Sequence, residues 1–259
     1  DKKVTSIGGQ ALMEGVMMRG PTSMAMAVRN KDGFIEVDSV RLKPIRWYNK
    51  VPVLRGVVSF VESLYSGVNT ITKSAQVVGD EDEKISNGGM IFAVCAGVLL
   101  AIGLFMLVPE LIASLIDGLI GHSVLLKSLI AGALRMIIFV AYLLIVSRMK
   151  DIRRTFMYHG AEHRTINCYE SGMELTVENV QKCSTRHNRC GTTFLFIVMV
   201  VSILLFAIVN WILDLFIGDM LSGFVKKLVY FGIKLVILPF TAGISYEILK
   251  GVAKLPDNI

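Results

Sequence analysis

The residues best suited to chemistry lie in one polar stretch, YHGAEHRTINCYE, at positions 158–170. His159 and His163 are four residues apart, so a helix would put both imidazoles on one face, where they can bind one zinc ion. Glu162 lies beside them and can take a proton from a water molecule whose pKa the metal lowers to about 7. The pattern H-x-x-E-H is that of the inverted zincins and predicts a metal site with Glu162 as its base. The same residues also fit a polar helix without a metal, in which Glu162 pairs with a nearby arginine.

The histidines and cysteines of the chain are concentrated around this stretch. Of eight such residues, six lie between positions 159 and 190, namely His159, His163, Cys168, Cys183, His187 and Cys190. A catalytic centre would use the two histidines of the polar stretch with a third ligand, and leave one position open for water. A closed structural centre would use His187 with the three cysteines, and a mixed centre would use His163, His187 and Cys190. Zinc is the expected ion, and another divalent metal would suit the same donors.

Two distant carboxylates are further candidates for the third ligand. Glu247 in GISYEI follows His163 by 84 residues, which is comparable to the distant acidic ligand of inverted zincins. The alternative for Glu247 is a carboxylate that pairs with Lys250 or extends toward water. Glu14 would either close over the histidines from the N-terminal segment or form a buried ion pair with Arg19.

The elements that must position these residues are membrane helices. The chain has 259 residues, of which 53% are hydrophobic and 19% charged, and its mean hydropathy is +0.60. Such values predict a mainly α integral membrane protein. Four segments are long and apolar enough to cross a bilayer, at residues 90–108, 124–147, 192–217 and 228–249.

The basic residues predict the orientation of these spans. Eight Lys and Arg lie in the loop 148–191 and twelve in residues 1–89, whereas the connectors 109–123 and 218–227 contain two. The excess of basic residues puts this loop and both termini in the cytoplasm, in a multi-pass protein of the plasma membrane. The net charge of +6 fits this orientation first and a contact with nucleic acid or anionic lipid second. Disulfides are not expected in a cytoplasmic loop, so its cysteines are metal ligands or free thiols.

Three units follow from these patterns. Residues 1–48 are expected to form a small cytosolic β unit, with the strands MAMAVRN and GFIEVDSV joined through an Asp32-Gly33 turn. Residues 49–88 contain an amphipathic helix and a linker. The helix would lie on the membrane surface or against the spans, or form the core of a soluble N-terminal domain. Residues 89–259 form the four-helix membrane domain, with ELIASLIDGLIG after Pro109 as a short interfacial helix.

Three ionisable side chains inside the predicted spans need partners. Arg135 is near the middle of its span, where an unpaired charge costs about 2.5–3.5 kcal/mol on insertion scales. It is expected to face Asn210 or an interior cavity. Asp214 and Lys234 lie toward the outer ends of their spans and are expected to pair with each other.

Several motifs together resemble the YqhQ-like family of bacterial membrane proteins. They are IGGQALMEGVMMRGP, LRGVVSFVESLYSG, YHGAEHRTINCYE, HNRCGTTFL and AGISYEI. The resemblance implies a multi-pass protein of uncharacterised function, often labelled a predicted metal-dependent enzyme. The residues that match the family motifs are Gln10, Glu14, Arg19, His159, Glu162, His163, Arg164, His187, Arg189, Cys190, Gly191 and Glu247. Cys183 lies outside them, which favours His187 with Cys190 over the closed cysteine site. Members continue beyond the end of this chain, and the chain begins with Asp1 rather than Met, so further residues are expected at both ends.

Two functions are compatible with these residues. The first is a membrane-embedded metal-dependent hydrolase at the cytosolic face, in which Arg164 or Arg189 binds an anionic group or oxyanion. Its substrate would be a peptide, a lipid headgroup or a small phosphoester. The second is a non-catalytic membrane scaffold or protein-biogenesis accessory factor. Its basic cytosolic surface would bind a membrane-protein complex such as a translocon, or ribosomal RNA.

Overall fold

The computed structural model describes Thr5 and residues 7–42, 51–79, 87–116, 118, 123–187, 190–218, 220–221 and 223–252. The N-terminal part of these residues forms four strands, β1 (Gly8–Leu12), β2 (Gly15–Arg19), β3 (Ser23–Arg29) and β4 (Ile35–Arg41). Eight α-helices follow, α1 (Leu54–Val78), α2 (Asn87–Ile102), α3 (Val108–Leu115), α4 (Val124–Val146), α5 (Lys150–Glu170), α6 (Val177–Lys182), α7 (Gly191–Ile217) and α8 (Gly223–Val252). The structure is thus mainly helical with a small N-terminal sheet, as the sequence predicts.

Four helical segments are long and apolar enough to span a membrane, which confirms a multi-pass membrane protein. They are Ile91–Leu115, Val124–Val146, Gly191–Ile217 and Gly223–Val252. The last three agree with the predicted spans to within a few residues. Helix α7 packs between α4 and α8, α3 packs against α4, and α1 packs on α8.

The first span is longer than the sequence analysis predicts, because Pro109 does not end it. A single π-helical turn (Gly103–Leu107) joins α2 to α3, and Pro109 occupies the first turn of α3, where a missing N–H is tolerated. Proline cannot donate to the carbonyl of Phe105 four residues earlier, and Arg135 Nε donates to that oxygen instead, at 2.7 Å. The connector predicted as a separate interfacial helix is therefore partly the end of the first span.

The four strands form one antiparallel sheet in the order β1-β2-β3-β4. The predicted hairpin between β3 and β4 is confirmed, with Gly33 at a φ of 85° in its turn. A second hairpin, β1–β2, is built from the motif IGGQALMEGVMMR and turns at Glu14, whose φ is 51°. This hairpin was not predicted from the sequence. Leu12, Met17, Met26 and Val28 form the core under the sheet, and Val77 and Val78 of α1 pack against it.

Helix α1 packs against α8 through small residues. A Cβ added at Gly56 would lie 2.7 Å from the backbone oxygen of Gly243, so the two helices approach closely only because glycine stands at the contact. The apolar stripe of α1 faces outward, with Val61, Leu64 and Tyr65 each more than half exposed. Small residues inward and apolar residues outward are the arrangement expected of a helix whose outer side meets lipid.

The charged residues of the spans find different partners from those predicted. Asp214 and Lys234 do not pair with each other. Lys226 Nζ donates to Asp214 at 2.7 Å, and Lys234 Nζ donates to Glu110 at 3.1 Å. Arg135 lines an interior cavity, as expected, together with the buried Asn210.

Candidate metal centre

Helix α5 carries the polar stretch and begins only a short turn after the second span ends. Its helical geometry places His159, Glu162 and His163 on one face, with the two imidazole centroids 4.3 Å apart. Glu162 and His163 are buried, at 3% and 5% exposure, whereas the side chain of His159 remains one quarter exposed. The predicted His pair is therefore formed, and His159 is the member that solvent can reach.

Both ring nitrogens of His159 have defined neighbours. Nδ1 lies 3.0 Å from Oε2 of Glu162, and Nε2 lies 3.2 Å from Sγ of Cys190. Because a carboxylate accepts, Nδ1 carries the proton in this contact, and Nε2 is the nitrogen that faces the sulfur. A histidine held through Nδ1 by a carboxylate is the usual outer-shell arrangement of a metal ligand. Glu162 thus lies behind the ring of His159, a position suited to orienting that ring.

His163 is fixed in the same way by a backbone carbonyl. Its Nδ1 donates to the oxygen of Thr185 at 2.7 Å, so Nε2 is the nitrogen available to Cys190. Asn167 holds residues 184–186 in place, because its Nδ2 donates to the carbonyls of Ser184 and Arg186 at 2.9 Å each. Thr185 contributes only a main-chain oxygen, so no side-chain pattern in the sequence could have predicted its role.

Cys190 brings the third donor from another element. It is the N-cap of α7, the 27-residue third span, where the helix dipole favours a thiolate. Burial alone would raise the pKa of this thiol, but contacts with His159, His163 and Thr192 outweigh burial and lower it to about 5. The same contact with Cys190, helped by Glu162, raises the pKa of His159 to about 10. At neutral pH the metal-free site therefore holds a thiolate beside an imidazolium.

The donor atoms of His159, His163 and Cys190 all lie within 4.8 Å of one another, so they can hold one metal ion. Two imidazoles and one thiolate are a donor set that zinc accepts, and three protein ligands leave a fourth tetrahedral position. Each imidazole has its other nitrogen already bonded, as metal-binding histidines usually do. The residues present therefore fit a zinc ion.

Strand β1 packs against the side chain of Glu162 on α5. A Cβ built on Gly9 would lie 2.6 Å from Cγ and 2.7 Å from Cδ and Oε1 of Glu162. The neighbouring Gly8 has nothing within 4 Å of the same position. Only glycine at position 9 lets the strand approach the carboxylate that orients His159, and no local pattern in the sequence predicts this contact between distant motifs.

The remaining histidine and cysteines of the cluster lie beside this centre. His187 is 5.8 Å from His163 between ring centroids, and its Nε2 lies 3.4 Å from Glu170, which also accepts from the N–H and hydroxyl of Thr5. Buried Cys168 contacts Cys183, and burial raises its pKa. The closed cysteine site and the mixed site with His187 are therefore not formed among the described residues, where Cys190 joins the His pair instead.

The two distant carboxylates are occupied by arginines. Glu247 accepts from Arg55, with Nε to Oε1 at 2.6 Å and a second contact from Nη2 to Oε2. Glu14 accepts from Arg154 and from the hydroxyl of Tyr158, and the bond from Arg154 holds the pKa of Glu14 below its usual value despite partial burial.

Neither carboxylate joins the group of donors around Cys190. The Glu14–Arg19 ion pair, which was the alternative for Glu14, is also absent, because Arg19 pairs with Glu62 at 3.1 Å. Of the two predicted anion-binding arginines, Arg164 has a buried Nε without a hydrogen-bond partner among the described residues. Arg189 lies outside the described residues.

The sequence matches a known family over most of its length. Residues 51–259 match the family DUF1385, whose description is "Protein of unknown function". The chain belongs to the DUF1385 family. This region includes all three donors of the candidate metal centre but not β1, which covers Glu162.

One relative of known name extends the similarity to the N-terminal sheet. The chain is 30% identical over 267 residues to "Uncharacterized protein YqhQ" of Bacillus subtilis (strain 168), covering 96% of this chain and 80% of that protein. The resemblance inferred from the motifs is thereby confirmed. No solved structure matches the DUF1385 chain.

Proposed function

We propose that this DUF1385 protein is a zinc-dependent hydrolase whose site lies at the cytosolic face of the plasma membrane. The observation that carries the proposal is the convergence of His159, His163 and Cys190 from two elements, with both Nδ1 atoms already bonded. Three ligands leave a coordination position for substrate or water, whereas a purely structural zinc has four protein ligands. The partial exposure of His159 supports access from that side.

Each neighbouring residue has a proposed part in this reaction. Zinc, when bound, would supply Lewis-acid activation of a water nucleophile. Glu162 fixes the tautomer and orientation of His159, and Thr185 does the same for His163 through its carbonyl. Arg164 has an unpaired buried Nε that suits an anionic group of the substrate.

Metal analysis of the purified full chain tests the proposal. We expect about one zinc per chain, and loss of that zinc on His163→Gln or Cys190→Ser, because either change leaves only two ligands. His187→Gln and Cys183→Ser are matched controls, since the same residue types lie nearby but outside the triad, and both should keep the metal. A wild-type protein that binds no zinc, iron or manganese would contradict the metal centre.

Activity requires a separate measurement. Wild-type protein in lipid nanodiscs would be screened against chromogenic peptides, esters and phosphodiesters, with and without added zinc. We expect zinc-dependent turnover of at least one class that disappears in Cys190→Ser but persists in Cys183→Ser. Metal binding without turnover on any class would favour the second function below.

The second function is a non-catalytic membrane scaffold whose metal only stabilises the segment before α7. The hydrogen bonds of Asn167 and the Thr5–Glu170–His187 contacts support it, because they already order this segment. Such a protein would hold a macromolecular partner in native membranes. Crosslinking and pull-down from those membranes should then recover a stoichiometric partner. The Cys183→Ser variant should still bind this partner, and the Cys190→Ser variant should not.

A further inference from the structure

A second polar region lies at the opposite end of the spans from the metal centre. It is a cavity of about 680 Å³ between α3, the first half of α4, the end of α7 and the first half of α8. The charged side chains that line it are Lys127, Arg135, Lys226, Lys227, Lys234, Glu110 and Asp214. Five basic residues against two acidic ones give the lining an excess of three formal positive charges. An anion is therefore the class of ligand that this cavity would attract.

Two of these cations are buried within the spans. Lys234 is 6% exposed and donates to Glu110, and Arg135 is 7% exposed. Arg135 uses only Nε, toward the carbonyl of Phe105, and its other guanidinium nitrogens make no hydrogen bond within the described part of the chain. Ionisable groups inside a membrane are costly and usually mark a functional site. A guanidinium with unused donors suits the paired oxygens of a phosphate.

Two neutral side chains in the same wall each have a buried oxygen without a well-formed hydrogen bond among the described residues. Asn210 is 5% exposed and donates through Nδ2 to Ser128 at 2.9 Å, but its buried Oδ1 accepts no bond from the described residues. The hydroxyl of Tyr230 is likewise buried; it lies beside Asp214 but makes no hydrogen bond of normal geometry within the described chain. A buried oxygen without a hydrogen bond is unfavourable unless a ligand or a water molecule supplies that bond. A ligand that carries both phosphate oxygens and hydroxyl groups would satisfy Arg135, Tyr230 and Asn210 together.

Apolar residues complete the wall next to these polar groups. Leu107 and Leu111 line the cavity and are each more than half exposed on the surface of the span. They provide a path along which hydrocarbon chains can leave the cavity toward the bilayer. A soluble anion would not use such a path, whereas a lipid would.

We propose that this cavity binds the headgroup of an anionic phospholipid of the phosphatidylglycerol type. The phosphodiester would accept from Arg135 and Tyr230, and a headgroup hydroxyl would donate to Oδ1 of Asn210. The acyl chains would follow Leu107 and Leu111 into the bilayer. This site is independent of the proposed hydrolase, because it shares no residue with the metal centre.

Binding of short-chain probes to the purified full chain in neutral detergent tests this site. The probes are dihexanoyl-phosphatidylglycerol, dihexanoyl-phosphatidylcholine and inorganic phosphate, each titrated calorimetrically. We expect saturable binding of the phosphatidylglycerol, and much weaker binding of the other two. Equal binding of phosphatidylcholine would overturn the anion site, and phosphate binding as tightly as phosphatidylglycerol would overturn the lipid as its occupant.

Variants locate the site. Arg135→Gln should raise the Kd for phosphatidylglycerol by about tenfold, since a charge-assisted hydrogen bond is lost, whereas Arg135→Lys should keep part of the affinity. Arg148→Gln is the matched control, because Arg148 lies just beyond the other end of α4 and donates to the Leu144 carbonyl of that helix.

If Arg135→Gln fails to fold, Lys227→Gln replaces it, because Lys227 is exposed and still lines the cavity. Lys250→Gln, at the far end of the same helix, is its control. An unchanged Kd in the cavity variants would refute the proposal.

Discussion

Replacing Gly9 with alanine should disturb the metal centre from a residue that touches no metal ligand. The new Cβ would lie 2.6 Å from Cγ of Glu162, whereas ordinary contacts begin near 3.4 Å, so strand or side chain must shift by about 0.8 Å. Glu162 is 3% exposed and has little room to retreat. A shift of that size is enough to break its 3.0 Å bond to His159.

Two magnitudes follow from that displacement. Overpacking of a buried site typically costs about 1–3 kcal/mol of folding free energy. Loss of an outer-shell partner typically weakens metal binding by about 10–100-fold, or roughly 1.4–2.8 kcal/mol. We therefore expect Gly9→Ala to lower the unfolding temperature by several degrees and to raise the apparent Kd for zinc by at least about tenfold.

Gly8→Ala provides a control on the same strand. Position 8 has open space for a Cβ, and alanine is favoured over glycine by about 0.5–1 kcal/mol in a strand, so this variant should match or exceed wild type. Competition with a zinc chelator would measure affinity, and differential scanning fluorimetry would measure stability. If Gly9→Ala behaved as Gly8→Ala in both assays, the proposed contact between β1 and Glu162 would be refuted.

Three further predictions concern other contacts. In metal-free protein, the rate at which iodoacetamide alkylates Cys190 should have its pH midpoint at about 5, because the contacts of Cys190 lower the pKa of its thiol to that value. His159→Gln should move this midpoint to higher pH, and an unchanged midpoint would contradict the contact between Cys190 and His159. Glu247→Gln should leave the zinc content unchanged, although it weakens the contact with Arg55 and so the packing of α1. Loss of zinc in this variant would indicate that Glu247 is a metal ligand. Gly56→Ala should destabilise the protein by about 1–3 kcal/mol in denaturant titration, since its Cβ would lie 2.7 Å from a backbone oxygen of α8, and a neutral effect would exclude that close approach.

The sequence was sufficient to predict what periodicity and local spacing determine. Membrane spans follow from long apolar runs, and the shared face of His159 and His163 follows from their spacing of four. Cys190 was among the candidate ligands because it lies close to the His pair in the sequence. Its position as the N-cap of α7 and its contacts with His159 and His163 both favour the thiolate form of its side chain.

The partners of charged groups could not be predicted from the sequence where they come from a distant element. Glu247 has the separation expected of an inverted-zincin ligand, yet Arg55 on α1 takes its carboxylate. The first span runs past Pro109, and Arg135, in another span, donates to the carbonyl that proline cannot reach. Neither contact has a local signal, since both depend on how helices pack rather than on their spacing in the sequence.

The role of Glu162 is the point on which sequence and geometry differ most, and one substitution separates the two interpretations. As a general base, Glu162 would be needed for turnover but not for zinc affinity, so Glu162→Gln would abolish activity with the metal retained. As the orienting partner of His159, it acts as an acceptor at 3.0 Å, and a glutamine oxygen can accept the same bond without the charge.

The geometry therefore predicts that Glu162→Gln retains zinc with an affinity reduced by about tenfold or less, and retains part of any activity. Glu162→Ala, which removes the acceptor, should lose about 10–100-fold in zinc affinity. Chelator competition on both variants distinguishes the roles without a known substrate. Zinc affinities equal to wild type in both would exclude the orienting role and return Glu162 to the position of a base.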